Sequence, residues 1–319
     1  MQIVAISSLE DAHLPFVQNH LDKPLIVIDP ISIRGITSHE ITKARSGVVF
    51  DGKMLQDVTG VWYRKPKIIR TEVLPVDDSL QDYCRSALEH FSHLMRVEFE
   101  DALWVSDFYA IERAKNKTLQ LRIARKLGFN VPDTLMTSSP EDAQRFIQNH
   151  RQCLVKSLAT EFYKDSNKDY FFFAQKIKNK KELDYSGLQL APAIFQTAID
   201  ANFDVRVTVV GNKVFAAAIT GSAIDEAGSV VRDWRIGHFK GDMKIEALAL
   251  PKRVAALCVA HVKELGLSFG AIDLVVDKKG KFWFLENNPN GQWAFVEEET
   301  RQPIGKAIAE LLASGSKAT

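Results

Sequence analysis

Glu286 and Asn288 stand two residues apart in the stretch FWFLENNPNGQWAF (282–295), and on a β-strand that spacing points both side chains to one face. A carboxylate and an amide oxygen side by side are hard donors of the kind Mg²⁺ takes together with nucleotide phosphates. The same residues also read as the turn that ends a buried strand, since Asn, Pro and Gly are turn residues. Upstream, Asp273 lies in the apolar run AIDLVV, where an ionised carboxylate is costly without a partner. If the two runs form a hairpin through DKKG, Asp273 comes beside Glu286. A divalent ion held by Asp273, Glu286 and Asn288 would then explain both the acid in the apolar run and the polar strand end.

Cations that could meet phosphates lie earlier in the chain. Lys156 sits in CLVKSL, followed by the polar segment ATEFYKDSNKDY, which is long enough for a flap. Lys117 opens a helix after AIERAKN, and Asp204 and Arg206 share one face of the run FQTAIDANFDVRVTVVG. Each also has a plainer reading: an edge-strand lysine that discourages aggregation, a solvated helix charge, and a cross-strand salt bridge on an exposed face. No GxxxxGK[ST] loop occurs, so a nucleotide would have to be gripped by β layers instead.

The elements that must carry these residues can be traced by periodicity. Gln2 to Ile6 and Pro24 to Ile28 read as strands with a helix between them, followed by β pieces at Val48 to Phe50, Lys53 to Leu55 and Gly60 to Tyr63. A long helix is expected from about Ser79 to Phe99, and Val105 to Glu112 reads as a corner. Lys115 to Leu127 forms a helix stopped by Gly128, and SSPED opens another. Residues 151 to 220 look mostly β, and a helix from Pro251 to Leu265 precedes the final hairpin. Trp283 is expected in the core and Trp293 along the pocket.

Composition narrows the class. The chain has 319 residues, and 41 Lys plus Arg against 40 Asp plus Glu leave no global charge that would favour nucleic acid or a membrane surface. Cys84, Cys153 and Cys258 are scattered and odd in number, which suits a reducing compartment and neither a disulfide framework nor a zinc motif. The N-terminus lacks a basic, apolar signal pattern and no apolar run is long enough to span a bilayer, so a cytoplasmic protein is expected.

The order of these features resembles the ATP-grasp superfamily from about Ala110 to Leu312. A narrower likeness covers nearly the whole chain. VWYRKP, AKNKTLQLRIARKLGFNVPDTLMTSSPEDAQRF, RDWR, LGLSFGAIDLVV and LENNPNGQWAFVEEET look like the ATP-grasp peptide maturases, the microviridin-type or graspetide macrocyclases. One departure is Arg64-Lys65, where two arginines are expected, which leaves substrate contact there in question.

The resemblance implies an α/β (α+β) ATP-grasp fold with the nucleotide between two β layers. It divides the chain into an amino-terminal α/β domain (1–105), a central subdomain (106–195) and a carboxy-terminal subdomain with the metal site (196–319). It implies ATP and Mg²⁺ as cofactors, with Lys117 and Lys156 on phosphates, Gln196, Thr197, Ala198 and Ile199 around adenine, Asp204 on ribose, and Arg206 and Arg235 as catalytic cations. The reaction would activate Asp or Glu side chains of a precursor peptide with a leader sequence and join them to Ser, Thr or Lys side chains. A homodimer is possible, whereas nucleic acid and membrane partners are not expected. A ligase of free amino acids or peptide tails, or a nucleotide-binding regulator without turnover, stays open at this point.

Overall fold

The computed structural model describes residues 2–29, 38–42, 46–64, 74–158, 162–165, 168–171, 174–177, 183–221, 223–224, 230–231 and 244–315. The amino-terminal apolar runs form a parallel sheet in the order Ile26–Ile28, Gln2–Ile6, Val58–Tyr63, Leu103–Val105. Val4, Ala5, Val61 and Trp62 are fully buried in it, as a parallel sheet covered on both faces requires. Gln81–Glu98 is the long helix expected there. The corner expected at Val105 to Glu112 is instead a short strand end and a seven-residue helix, Phe108–Ala114, whose first N–H groups are capped by the Asp107 carboxylate.

An antiparallel sheet follows, ordered Gln175–Lys176, Cys153–Ser157, Ala193–Thr197, Thr134–Thr137. The largest sheet has the order Lys244–Ala247, Lys213–Thr220, Ala201–Val210, Phe269–Asp277, Phe282–Asn288, all antiparallel. One face of it carries Val205, Val207, Val209, Ile272, Leu274 and Phe284, packed under the helices Lys117–Leu127 and Lys252–Glu264. Helix Lys117–Leu127 begins where the Asn116 side chain accepts the Leu119 N–H and stops at Gly128, whose φ of 96° lies in the left-handed region glycine favours.

The opposite face carries the polar residues and then meets helices Ala294–Thr300 and Ile304–Ser314. Helix Ile304–Ser314 also leans on the first sheet so closely that a Cβ on Gly60 would lie 2.6 Å from the Leu312 carbonyl oxygen. This late helix is therefore packed against the amino-terminal sheet. Among the described residues no helix is long and apolar enough to cross a membrane.

The final hairpin contains a local irregularity that decides the site. From Val276 opposite Phe282 to Leu274 opposite Phe284 the register is regular, but Asp273 pairs with Glu286, leaving Leu285 as an inserted residue. Without that β-bulge Leu285 would sit opposite Asp273, and Glu286 would point to the other face.

Candidate active site

Three strands bring the candidate ligands together. Arg206 pairs with Asp273 across one strand junction and Asp273 with Glu286 across the next. The Arg206 Nη1 lies 2.6 Å from Asp273 Oδ1, and Lys117, at the start of its helix, places Nζ 2.6 Å from Glu286 Oε2. The arginine is 4% exposed and Asp273 16%, so this pair is shielded, while Lys117 and Glu286 are each about a third exposed. The exposed Asn288 follows Glu286 on the same face, with buried Asn287 between them. Its Oδ1 also accepts the Asn290 N–H at 3.0 Å, so the turn and the donor set coexist.

These residues fit a divalent ion in their chemistry. Among the described residues no group of three or more His, Cys, Asp or Glu is placed to hold a metal, but two carboxylates and an amide oxygen are the hard oxygen donors that Mg²⁺ takes alongside phosphate oxygens. Asp204 lies two residues before Arg206 on the same strand face and is half-buried.

The second half of the expected site lies on the smaller sheet. Lys156 pairs with Ile194 across the strands, and its Nζ donates to Gln196 Oε1 at 2.9 Å. Gln196, 3% exposed, donates in turn to Thr134 Oγ1 at 2.9 Å, which holds its amide in place. The N–H groups of Thr197 and Ala198 donate to the carbonyls of Asp133 and Gln152, and the Ile199 carbonyl accepts from Ala201. Any adenine contact by this segment would therefore have to use its remaining groups. Arg235, together with Trp234, His238 and Lys65, lies outside the described residues.

Arg64 takes a role that sequence reasoning did not assign. It is 1% exposed, and its Nη1 donates to the carbonyls of Asn290 (2.6 Å) and Gly291 (3.2 Å), while Nη2 reaches Gln292 Oε1 (3.3 Å). The Asn290 side chain answers by donating to the Arg64 carbonyl at 3.2 Å. Arg64 Nε faces Asp11 Oδ2 at 3.3 Å, and His13 bridges Asp11 and the Trp293 N–H. The partners assign the His13 tautomer: Nδ1–H donates to Asp11 and Nε2 accepts.

Burial alone would raise the Asp11 carboxyl, but hydrogen bonds from His13 and the Arg64 charge bring it down to about 2. Burial pushes Arg64 down to about 10 against the pull of Asp11, with the Arg206 charge adding to the fall. This cluster fastens the first sheet to the loop that follows Asn288. Asp11 and His13 also line a cavity of about 320 Å³ with Ser8, Glu10, Ala12 and Gln292.

Neither tryptophan takes its expected place. Trp293 is fully buried, edge-on to His13 at 4.9 Å and to Phe16 at 5.8 Å, so it belongs to the core. Trp283 is half-buried at the hairpin's end, with its indole N–H on Asp277 at 3.0 Å and the Lys281 ammonium over its ring at 4.4 Å. The hairpin turn supplies a cation and an anion to that ring, and helix Ala294–Thr300 draws the other tryptophan inward.

Comparison with known proteins follows the same division. The RimK-like ATP-grasp domain matches residues 113–312. No curated protein matches the sequence. Among solved structures, a ribosomal-peptide-associated ATP-grasp ligase of Chryseobacterium gregarium, in complex with ADP and a leader and core peptide, is 26% identical with a TM-score of 0.85, covering 99% of this chain and 98% of the other. The macrocyclase MdnC of Microcystis aeruginosa, bound with the precursor peptide MdnA, is 24% identical with a TM-score of 0.83, covering 99% and 100%. The ATP-grasp ligase PsnB, complexed with a precursor variant, Mg and ADP, is 23% identical with a TM-score of 0.76, covering 99% of each chain. With the matched domain spanning the residues that assemble the candidate site, the chain belongs to the RimK-like ATP-grasp family.

Proposed function

We propose that the protein is an ADP-forming peptide macrocyclase. It would activate Asp or Glu side chains of a ribosomally made precursor peptide and join them to Ser or Thr hydroxyls or Lys amines. The observation that carries this reading is the meeting of Asp273, Glu286 and Asn288 on one face, with Arg206 and Lys117 at 2.6 Å from the two carboxylates. Likeness along the whole chain to a ligase solved with a leader and core peptide supports the peptide as partner.

A carboxylate is a poor acyl donor because its leaving group would be oxide. Transfer of the γ-phosphoryl group of ATP to a carboxylate oxygen yields an acyl phosphate and ADP. Attack by the hydroxyl or amine on the acyl carbon then expels inorganic phosphate, the nucleophile's proton leaves to solvent or base, and an ester or amide remains. Such transfer is chiefly positioning and charge neutralisation. Lys117, Lys156 and Arg206 offset the charge on the phosphates, Asp204 binds the ribose, and the Gln196 to Ile199 segment borders the adenine. Arg235, in RDWR, grips the substrate carboxylate with its fork of donors. Asp273, Glu286 and Asn288 would hold Mg²⁺, which when bound would supply further neutralisation of the phosphate oxygens.

The proposal assigns residues 1–105, 106–195 and 196–319 to the amino-terminal, central and carboxy-terminal units. Incubation with a precursor peptide, ATP and Mg²⁺ should release ADP and lower the peptide mass by one water per ring. Glu286→Gln should abolish both. ADP formation with free amino acids but not with any precursor would reassign the enzyme to small-substrate ligation.

A further inference from the structure

Behind Glu286 and Asn288, on the covered side of their strand, lies a buried polar cluster that the proposed chemistry leaves unused. Gln120, Asn287 and His261 are 3%, 2% and 0% exposed. Gln120 Nε2 donates to the Asn287 carbonyl at 2.8 Å and to the Ala114 carbonyl at 2.7 Å, and its Oε1 accepts the Asn287 N–H at 2.8 Å. His261 Nε2 lies 3.0 Å from the Gln120 carbonyl, which can only accept, so Nε2 carries the hydrogen and Nδ1 accepts from the Asn287 amide at 3.4 Å.

The arrangement has a structural logic. Phe282–Asn288 is the edge of its sheet, so its outward N–H and C=O groups lack a neighbouring strand. Asn130 serves them at one end, donating from its side chain to the Phe282 carbonyl and accepting the Phe284 N–H on its own carbonyl. At the other end the Gln120 amide imitates one residue of a strand, taking both backbone groups of Asn287. An apolar side chain could fill the same space, but it would leave those two groups buried and unpaired.

The position of Gln120 gives this bond a consequence. Lys117 is three residues earlier on the same helix, one turn away on the same side, and Glu286 is the residue next to Asn287. We propose that Gln120 is a positioning residue: its two bonds to Asn287 register the helix against the edge strand and thereby set the approach of Lys117 to Glu286. This rests on the reading of those two residues as part of an ATP and metal site. Gln120 touches neither nucleotide nor substrate in this scheme, and acts through the ion pair.

The test uses the full-length protein and calorimetric titration with ATP and Mg²⁺, together with kcat and KM for ATP. Gln120→Met keeps the unbranched shape and removes both bonds, whereas Gln120→Glu keeps the acceptor for Asn287 N–H but sets a carboxylate against two carbonyl oxygens. Both should weaken ATP binding about tenfold or more, the scale seen for groups that orient ligands from behind. The loss should appear in KM more than in the unfolding temperature. In a Lys117→Met background, Gln120→Met should add less than about twofold, because the group it positions is gone.

Wild-type protein that fails to bind ATP with Mg²⁺ would remove the functional reading and this inference with it. Normal ATP binding by wild type and by Gln120→Met alike would remove this inference alone. An equal loss with and without Lys117, or two variants that do not fold, would assign Gln120 to stability and overturn the positioning role.

Discussion

Replacing Arg64 by methionine isolates the clamp between the first sheet and the loop after Asn288. The change removes bonds to the carbonyls of Asn290 and Gly291 and leaves Asp11, whose side chain is 8% exposed, with His13 and a long bond from the Ser7 hydroxyl. Lowering the Asp11 carboxyl from 3.8 to about 2 corresponds to a net stabilisation of its ionised form of about 2.4 kcal/mol, what remains after burial has opposed the contributions of His13 and Arg64. Breaking a buried pair from one side costs about 3–5 kcal/mol, and the burial that pushes Arg64 down to about 10 offsets part of that. A loss of about 3 kcal/mol is therefore expected. At roughly 2 cal/mol/K of unfolding entropy per residue this lowers the unfolding temperature of the chain by about 5 °C. Urea unfolding at pH 7, followed by tryptophan fluorescence, to which Trp293 beside His13 contributes, reads it. Asp11→Asn should also destabilise, but the double variant should cost about 2 kcal/mol less than the two single changes added together. Additivity within about 0.5 kcal/mol would show that Asp11 and Arg64 do not act on one another and refute the clamp.

Gly291→Ala would set a Cβ 2.4 Å from the Ala271 Cβ and 3.2 Å from the Asn288 Cβ, so the loop must move; thermal unfolding should fall by at least about 1 kcal/mol and ADP formation should drop with it. Lys117→Met removes the ammonium 2.6 Å from Glu286, so Mn²⁺ titrated without nucleotide and followed by EPR should bind more tightly than to wild type, while ATP binds more weakly. Burial, opposed by the bond to the Gln120 carbonyl, holds His261 below 6.5 in the folded chain. The unfolded chain then takes up that proton first, and stability should decline as pH falls below 6.5, a slope that His261→Gln should flatten in melting curves. Asp11 adds stability that is present above 3.8 and lost as pH falls toward about 2.

The strands and helices that carry the site were legible because their signals are local. Period-2 spacing placed Glu286 and Asn288 together, DKKG marked the hairpin turn, and Gly128 marked the end of the Lys117 helix. The bulge at Leu285 was not legible, since no glycine or proline announces it and the apolar run continues through it. The expected pairing of Asp273 with Glu286 holds only because of that inserted residue. Helix Phe108–Ala114 is too short for a clear period, and only the Asp107 cap betrays it. Arg64 and Gln120 were missed for another reason. A charged or polar residue reads as solvent-facing unless its partners are known, and theirs are Asp11, His13, Asn287 and Asn290, brought near only by tertiary packing.

Charge balance connects the two ion pairs to the proposed chemistry. Arg206 with Asp273 and Lys117 with Glu286 make two neutral pairs, and at 2.6 Å each cation is committed to its carboxylate. Shielded charges of one sign left alone would be far more costly, so the pairing keeps these four charges tolerable on a partly buried sheet face. The same pairing means that neither cation can serve a phosphate oxygen at full strength while it also neutralises an acid. On the proposed reading the cations would become available only as the carboxylates acquire another positive partner, and the carboxylates would accept that partner more readily as the cations turn to phosphate. In the proposed chemistry, binding of nucleotide and divalent ion would thereby be coupled through the side chains of this one face, and the register of the bulged hairpin is what sets the two acids side by side, each with its own cation.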